Sequence, residues 1–150
     1  MRKLFFLTII AVAMLPGCSK KDYLNAGDLD GRWIMTEVHN KATGETYGPP
    51  NGAEGKVYIN FSGNSFSGQT LKNTYSNGIF TLEKGNEINF GNFNMTQVTE
   101  DEWGVVFLFM LQSCNLQSLF PCKPSVITQP KHNRIRIDTP LKYIVTFKKS

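Results

Sequence analysis

Three short polar breaks constrain this chain most: Gly63-Asn64, Asn77-Gly78 and Lys84-Gly85-Asn86 punctuate a stretch in which apolar and polar residues alternate. Val57, Ile59 and Phe61 alternate with Tyr58 and Asn60, the period of a half-buried strand. Gly63-Asn64 follows, and glycine at the first central position suits a type II′ hairpin turn. Asn77-Gly78 lies between Thr74-Tyr75 and Ile79-Phe80-Thr81-Leu82; both residues tolerate the positive φ of a type I′ turn, so a second hairpin is predicted there. Lys84-Gly85-Asn86 then separates that strand from Ile88-Asn89-Phe90. Residues 56–95 therefore read as an antiparallel meander.

The flanks extend the pattern. Trp33 to Val38 is a first strand, and Thr43 to Gly55, with Pro49-Pro50-Asn51-Gly52, is a loop. Arg134-Ile135-Arg136-Ile137-Asp138 alternates, and Tyr143, Val145 and Phe147 share one face of a final strand. About eight strands are implied. One helix interrupts them. Thr99 followed by Glu102 forms a capping box, and Glu100, Asp101 and Glu102 sit where the helix dipole favours negative charge. Trp103, Val106, Phe107, Met110, Leu111 and Cys114 follow at three- and four-residue steps, a stripe expected to pack on the open face of the sheet.

The N-terminus carries a different message. Arg2 and Lys3 precede an apolar run from Leu4 to Leu15, which Pro16-Gly17 ends. The run has the length of a signal-peptide core, well short of the roughly 20 residues of a spanning helix. Leu15-Pro16-Gly17-Cys18 resembles the lipobox of bacterial lipoproteins. On that resemblance the Cys18 thiol receives a diacylglycerol, residues 1–17 are removed, and the new amine is acylated. Several acyl chains would hold the protein stably, since each buried methylene adds about 0.8 kcal/mol and one chain holds only marginally. Residues 18–29 are polar and read as a tether, and residues 30–150 as one domain. Ser19, rather than Asp, after the cysteine resembles lipoproteins passed on to the outer membrane of a Gram-negative cell.

With Cys18 acylated, Cys114 and Cys122 form an even pair in an oxidising compartment, and a disulfide between them is expected. Eight residues along one continuous helix would put their α-carbons about 12 Å apart, beyond the roughly 4.4–6.8 Å that a disulfide spans. The helix must therefore stop or turn before Pro121. A redox or metal pair is the competing reading, but the spacing matches neither C-x-x-C nor a zinc pattern.

Little here points to catalysis. The formal charge of +4 includes Arg2 and Lys3, so the chain beyond the leader is too weakly basic to argue for nucleic acid. His39 and His132 are the only histidines and lack sequence neighbours that would make a base or ligand set. Ser62-Gly63-Asn64-Ser65 is no nucleophile elbow, and no Gly-rich loop opens the helix. No catalytic residue, metal ligand or cofactor is assigned. The basic run Lys131, His132, Arg134 and Arg136 could attract an anionic headgroup or glycan, although a half-exposed strand commonly carries such charges. Phe61, Phe66, Phe80, Phe90, Phe93 and Phe147 could line a ligand cavity or form plain core.

Asp30-Gly31-Arg32-Trp33-Ile34-Met35, then Ile59-Asn60-Phe61, Gly68, Asn73, Tyr75, Gly78 and Phe80, then Ile88-Asn89-Phe90-Gly91 with Met95-Thr96, and finally the helix from Glu102 and the strand Tyr143 to Phe147, together resemble the META domain, also called HslJ-like. The resemblance spans about residues 30–148. The chain departs from that pattern at Lys72, where a cysteine commonly precedes the Asn, and after Thr96, where no cysteine follows closely. It implies an α+β fold: a curved antiparallel sheet or cracked β-barrel of about eight strands packed around one helix. It also implies an envelope lipoprotein linked to stress tolerance, with a non-enzymatic binding or structural role. The expected partners are the membrane, through the anchor, and an envelope protein; oligomeric state is left open. The alternative is a carrier of a small apolar ligand in the barrel interior, suggested by eleven phenylalanines, all but Phe5 and Phe6 downstream of Cys18.

Overall fold

Alternating strands with one apolar face must hide that face, and a sheet that twists enough does so by closing on itself. The computed structural model describes residues 23–114, 123–131 and 133–150. Among them, ten strands and two helices follow in the order α1 (Ala26–Leu29), β1 (Gly31–Asn40), β2 (Thr46–Tyr47), β3 (Tyr58–Ser62), β4 (Ser65–Gln69), β5 (Thr74–Glu83), β6 (Glu87–Phe90), β7 (Asn94–Met95), α2 (Glu102–Leu111), β8 (Ser125–Lys131), β9 (Arg134–Asp138) and β10 (Tyr143–Lys149). The sheet order is β10-β9-β8-β6-β5-β4-β3-β1, and β10 pairs with β1 to close an eight-stranded antiparallel barrel. Strands β2 and β7 are short additions on β1 and β5. The fold is the expected α+β barrel.

Closure rests on the longest register in the molecule: Trp33 to Asn40 lies against Lys149 to Tyr143, with a bulge between Met35 and Glu37. The opposite seam is narrow. There, among the described residues, β6 meets β8 through Glu87–Val126 and Ile88–Ser125, and Ile127 N donates to the Asn86 carbonyl beside them (2.8 Å).

The turns separate local from non-local control. Ser62 pairs with Ser65 across Gly63-Asn64, and Gly63 alone of the two takes positive φ (55°), as a type II′ turn requires. Lys84-Gly85-Asn86 also turns the chain, with Gly85 and Asn86 at positive φ. Asn77-Gly78, predicted as a hairpin, is instead a bulge inside the continuous strand β5. Phe66 pairs with Gly78 and Gly68 with Tyr75, so β5 carries one residue more than β4 over this interval, and Asn77 absorbs it at φ 54°. Gly78 is there for space: a Cβ would lie 2.5 Å from the Phe66 ring stacked over it. The real reversal is one step earlier, where the Thr70 amide donates to the Asn73 carbonyl.

The barrel has two ends. The chain enters at the first, where Leu24 N donates to Asn86 Oδ1 (2.8 Å) and Asp30 accepts from Gly63 N (2.8 Å). Leu29 is fully buried there, and Trp33 Nε1 donates to its carbonyl at 2.6 Å. Part of the segment read as a tether is thus built into the fold. Helix α2 covers the second end. Its N-cap is Asp101, whose carboxylate accepts from Gly104 N (2.8 Å), not the predicted Thr99, which lies exposed two residues upstream. Trp103, Val106, Phe107, Met110 and Leu111 are buried, and α2 ends ahead of Pro121, as the cysteine spacing requires.

Between the ends, the candidate phenylalanines prove to be core. Phe61 touches Phe80 and Phe90, Phe66 touches Phe90 and Phe93, Tyr75 touches Phe93 and Phe107, and Phe107 reaches Phe147, at ring separations of 5.0–6.4 Å. Such pairs add roughly 0.5–1.5 kcal/mol each beyond the burial of their area.

Candidate functional site at the helix-covered end

Loops and helix, not strands, shape the second end. Asn73, fully buried at the β4–β5 reversal, ties three segments together. Its Nδ2 donates to the Val98 carbonyl (2.7 Å) and to the Glu100 carboxylate, while its Oδ1 accepts from Val98 N (2.8 Å) and Thr96 Oγ1 (3.0 Å). Thr70 also donates to Glu100. The Glu100 carboxylate is therefore clamped between the reversal and the first turn of α2. Gly104 makes the room, since a Cβ at that position would collide with it.

From the sequence, Glu100 is one of three acids placed to favour the helix dipole. Its actual partners lie roughly thirty residues upstream, and the one local hint was a glycine in an otherwise apolar helix.

Buried polar atoms collect at this end. Among the described residues, Tyr75 Oη, Glu100 Oε2 and Trp103 Nε1 are buried without a hydrogen-bond partner, and the fourth such atom, Arg136 Nε, lies on β9. Burial pushes the Tyr75 hydroxyl well above the usual phenol range; the neighbouring Thr70 side chain opposes this in part, and the Glu100 charge adds to it.

Beside α2 opens a cleft of about 330 Å³ lined by Tyr47, Gly48, Pro50, Asp101, Glu102 and Trp103. Tyr47 and Trp103 meet edge to face at 6.0 Å. The Tyr47 pKa is raised, first by burial, then by Tyr143, Glu102 and Glu45, so the aromatic floor has an acidic rim. Tyr47, Val98, Val105 and Leu141, four of the exposed large apolar side chains, all belong to this end. An aromatic surface with carboxylates at its edge suits groups that combine an apolar body with hydrogen-bond donors.

The other predicted positions divide. Cys18 and Cys122 lie outside the described residues. Cys114, just past α2, is disulfide-bonded, and it lines a second cleft of about 290 Å³ with Ile79, Asn89, Phe90, Gly91 and Asn92 beside the β6–β8 seam. His39 sits on β1 with Nδ1 2.8 Å from Thr46 Oγ1; His132 lies outside the described residues. Among the described residues, no cluster of three His, Cys, Asp or Glu could hold a metal, and no helix is long and apolar enough to cross a membrane.

No protein-family model matches the chain, and no curated protein matches it in sequence. Solved structures match it in fold. A protein from Burkholderia xenovorans, solved by NMR, aligns with a TM-score of 0.57 at 16% identity, over 100% of this chain and 99% of its own. A lipocalin-like protein from Bacteroides uniformis ATCC 8492 aligns with a TM-score of 0.50 at 17% identity, over 83% of this chain and 100% of its own. At such identities the likeness is one of fold.

Proposed function

We propose that this chain is a lipid-anchored, non-enzymatic binding protein of the cell envelope, akin to the META/HslJ-like lipoproteins, and that it receives a ligand or partner at the α2 end. One observation carries the reading: residues 23–30 join the barrel at the end opposite the Tyr47–Trp103 cleft. A lipid on Cys18 would hold the first end toward the bilayer and turn the cleft away from it. The polar residues at the α2 end support binding over catalysis, because Asn73 and Thr70 direct their hydrogen bonds to joining chain segments. Outer-membrane attachment and a role in envelope stress tolerance belong to the same proposal, as does a Cys114–Cys122 staple.

A carrier of a small apolar ligand is the second reading, favoured by the likeness to a lipocalin-like protein. The interior rings already touch one another. An interior ligand would therefore need α2 to swing aside, taking Phe107 with it.

A native mass spectrum of the acylated protein, gently extracted from its own membrane, tests both readings. A polypeptide or ligand that stays bound to the parent chain and is lost from Trp103→Ala supports the α2-end site. A discrete small mass retained by Trp103→Ala but lost from Phe107→Trp, which overfills the interior, supports the carrier. An unlipidated Cys18 would remove the anchor from the proposal.

A further inference from the structure

The basic run noted in sequence gains neighbours in the fold. On the outer wall near the chain's entry, Lys148 of β10 lies directly opposite Arg134 of β9 on one side and Ile34 of β1 on the other. Arg136 and Arg32 stand two residues along the same outer rows, and Arg32 is exposed over the Tyr58 ring, 3.7 Å from its centroid. Like charges directly opposite on adjacent strands destabilise a sheet; the acids paired on this wall are Glu37, 3.5 Å from Arg134, and Asp138, at the far end of the β9 row and 2.9 Å from Lys41. Arg136 Nε is buried without a partner. The other acids of this end are engaged or remote. Asp28 accepts from Asn25 N and Asp30 from Gly63 N, while Glu83 and Glu87 face each other across β5–β6, with β8 between them and Arg134.

The anchor fixes what can meet this wall. Four residues separate Cys18 from Tyr23, the first described residue, and the five Cα-to-Cα steps reach at most about 18 Å in any conformation. The chain then enters β1, the strand beside the basic rows. Resting on the anchored reading above, we infer that the β1–β10–β9 wall docks on the anionic headgroups of the bilayer that holds the lipid, with Arg32, Arg134, Arg136 and Lys148 as the contact cations. An isolated like-charged wall loses stability in water; against an anionic surface the same charges are neutralised.

Lysine-directed acylation of the lipidated protein tests this, in vesicles of phosphatidylethanolamine alone and with phosphatidylglycerol added. Lys148 should label several-fold more slowly on the anionic vesicles, and high salt should abolish the difference. Exposed Lys72 at the opposite end should label equally in both. An Arg134→Glu, Arg136→Glu variant, checked for native melting, should lose the protection of Lys148. Equal labelling of Lys148 on both vesicles by a chain with confirmed lipid overturns the docking, as does protection insensitive to salt. A chain whose intact mass shows no lipid on Cys18 overturns the anchored reading instead.

Discussion

The two ends of the barrel are closed by different means. The first is plugged by one turn of helix, with Leu29 pressed inward and a single indole hydrogen bond to its carbonyl. The second is covered by ten residues of α2 and a buried amide–carboxylate network, and it holds three of the four buried polar atoms without partners among the described residues. A plug needs only apolar fit. An end that keeps buried polar groups unpaired and leaves Tyr47, Val98, Val105 and Leu141 exposed gives up stability, and such features gather where a protein meets something else. On the function proposed above, the first end is the anchored one and the second the one that meets a partner.

The sharpest way to break that contrast is to empty each closure. Phe107→Ala should cost about 3–5 kcal/mol in denaturant unfolding, because a fully buried ring contacting both Tyr75 and Phe147 leaves a cavity that cannot collapse. Leu29→Ala should cost about 2–3 kcal/mol, since a single-turn plug can settle into the space. Equal losses would mean that the two ends are energetically alike.

Asn73→Ala comes next, at about 1–3 kcal/mol, because it strands the Val98 amide and carbonyl. Hydrogen exchange should show the loss concentrated in residues 70–75 and 96–104, and a uniform loss would deny the network its local role. Trp33→Phe, the matching deletion at the first end, should cost about 1 kcal/mol and leave the α2 end unchanged.

The smallest effect is expected from Tyr75→Phe, which removes a buried hydroxyl whose polar neighbour, the Thr70 side chain, donates to Glu100 instead, and it should be near neutral at pH 7. Its signature is alkaline. Burial raises the Tyr75 pKa in the folded chain, so its contribution is complete below the ordinary phenol pKa of about 10 and is lost as pH rises beyond it. The parent chain should therefore lose stability above pH 10 faster than Tyr75→Phe, and identical alkaline profiles would count against burial of the hydroxyl.

How much was legible beforehand depended on range. Gly63-Asn64 could be read correctly because a two-residue hairpin is set by its own φ values. Asn77-Gly78 could not, because the same residues that make a type I′ turn also relieve a bulge. The choice was made by the Phe66 ring lying over Gly78 from the neighbouring strand. The Tyr47–Trp103 cleft left no signature at all, since its two rings are more than fifty residues apart and meet only because the start of α2 folds back beside β2.

By itself, then, the sequence determined the alternation, the Gly63-Asn64 and Lys84-Gly85-Asn86 turns, the apolar helix and the lipobox-like start, all of which depend on neighbours within a few residues. Tertiary structure alone decided the closing of β1 on β10, the clamping of Glu100 by Thr70 and Asn73, the gathering of cations on one wall and the opposition of entry point and cleft. Those depend on which distant segments meet when the sheet twists shut, and no local pattern encodes that meeting.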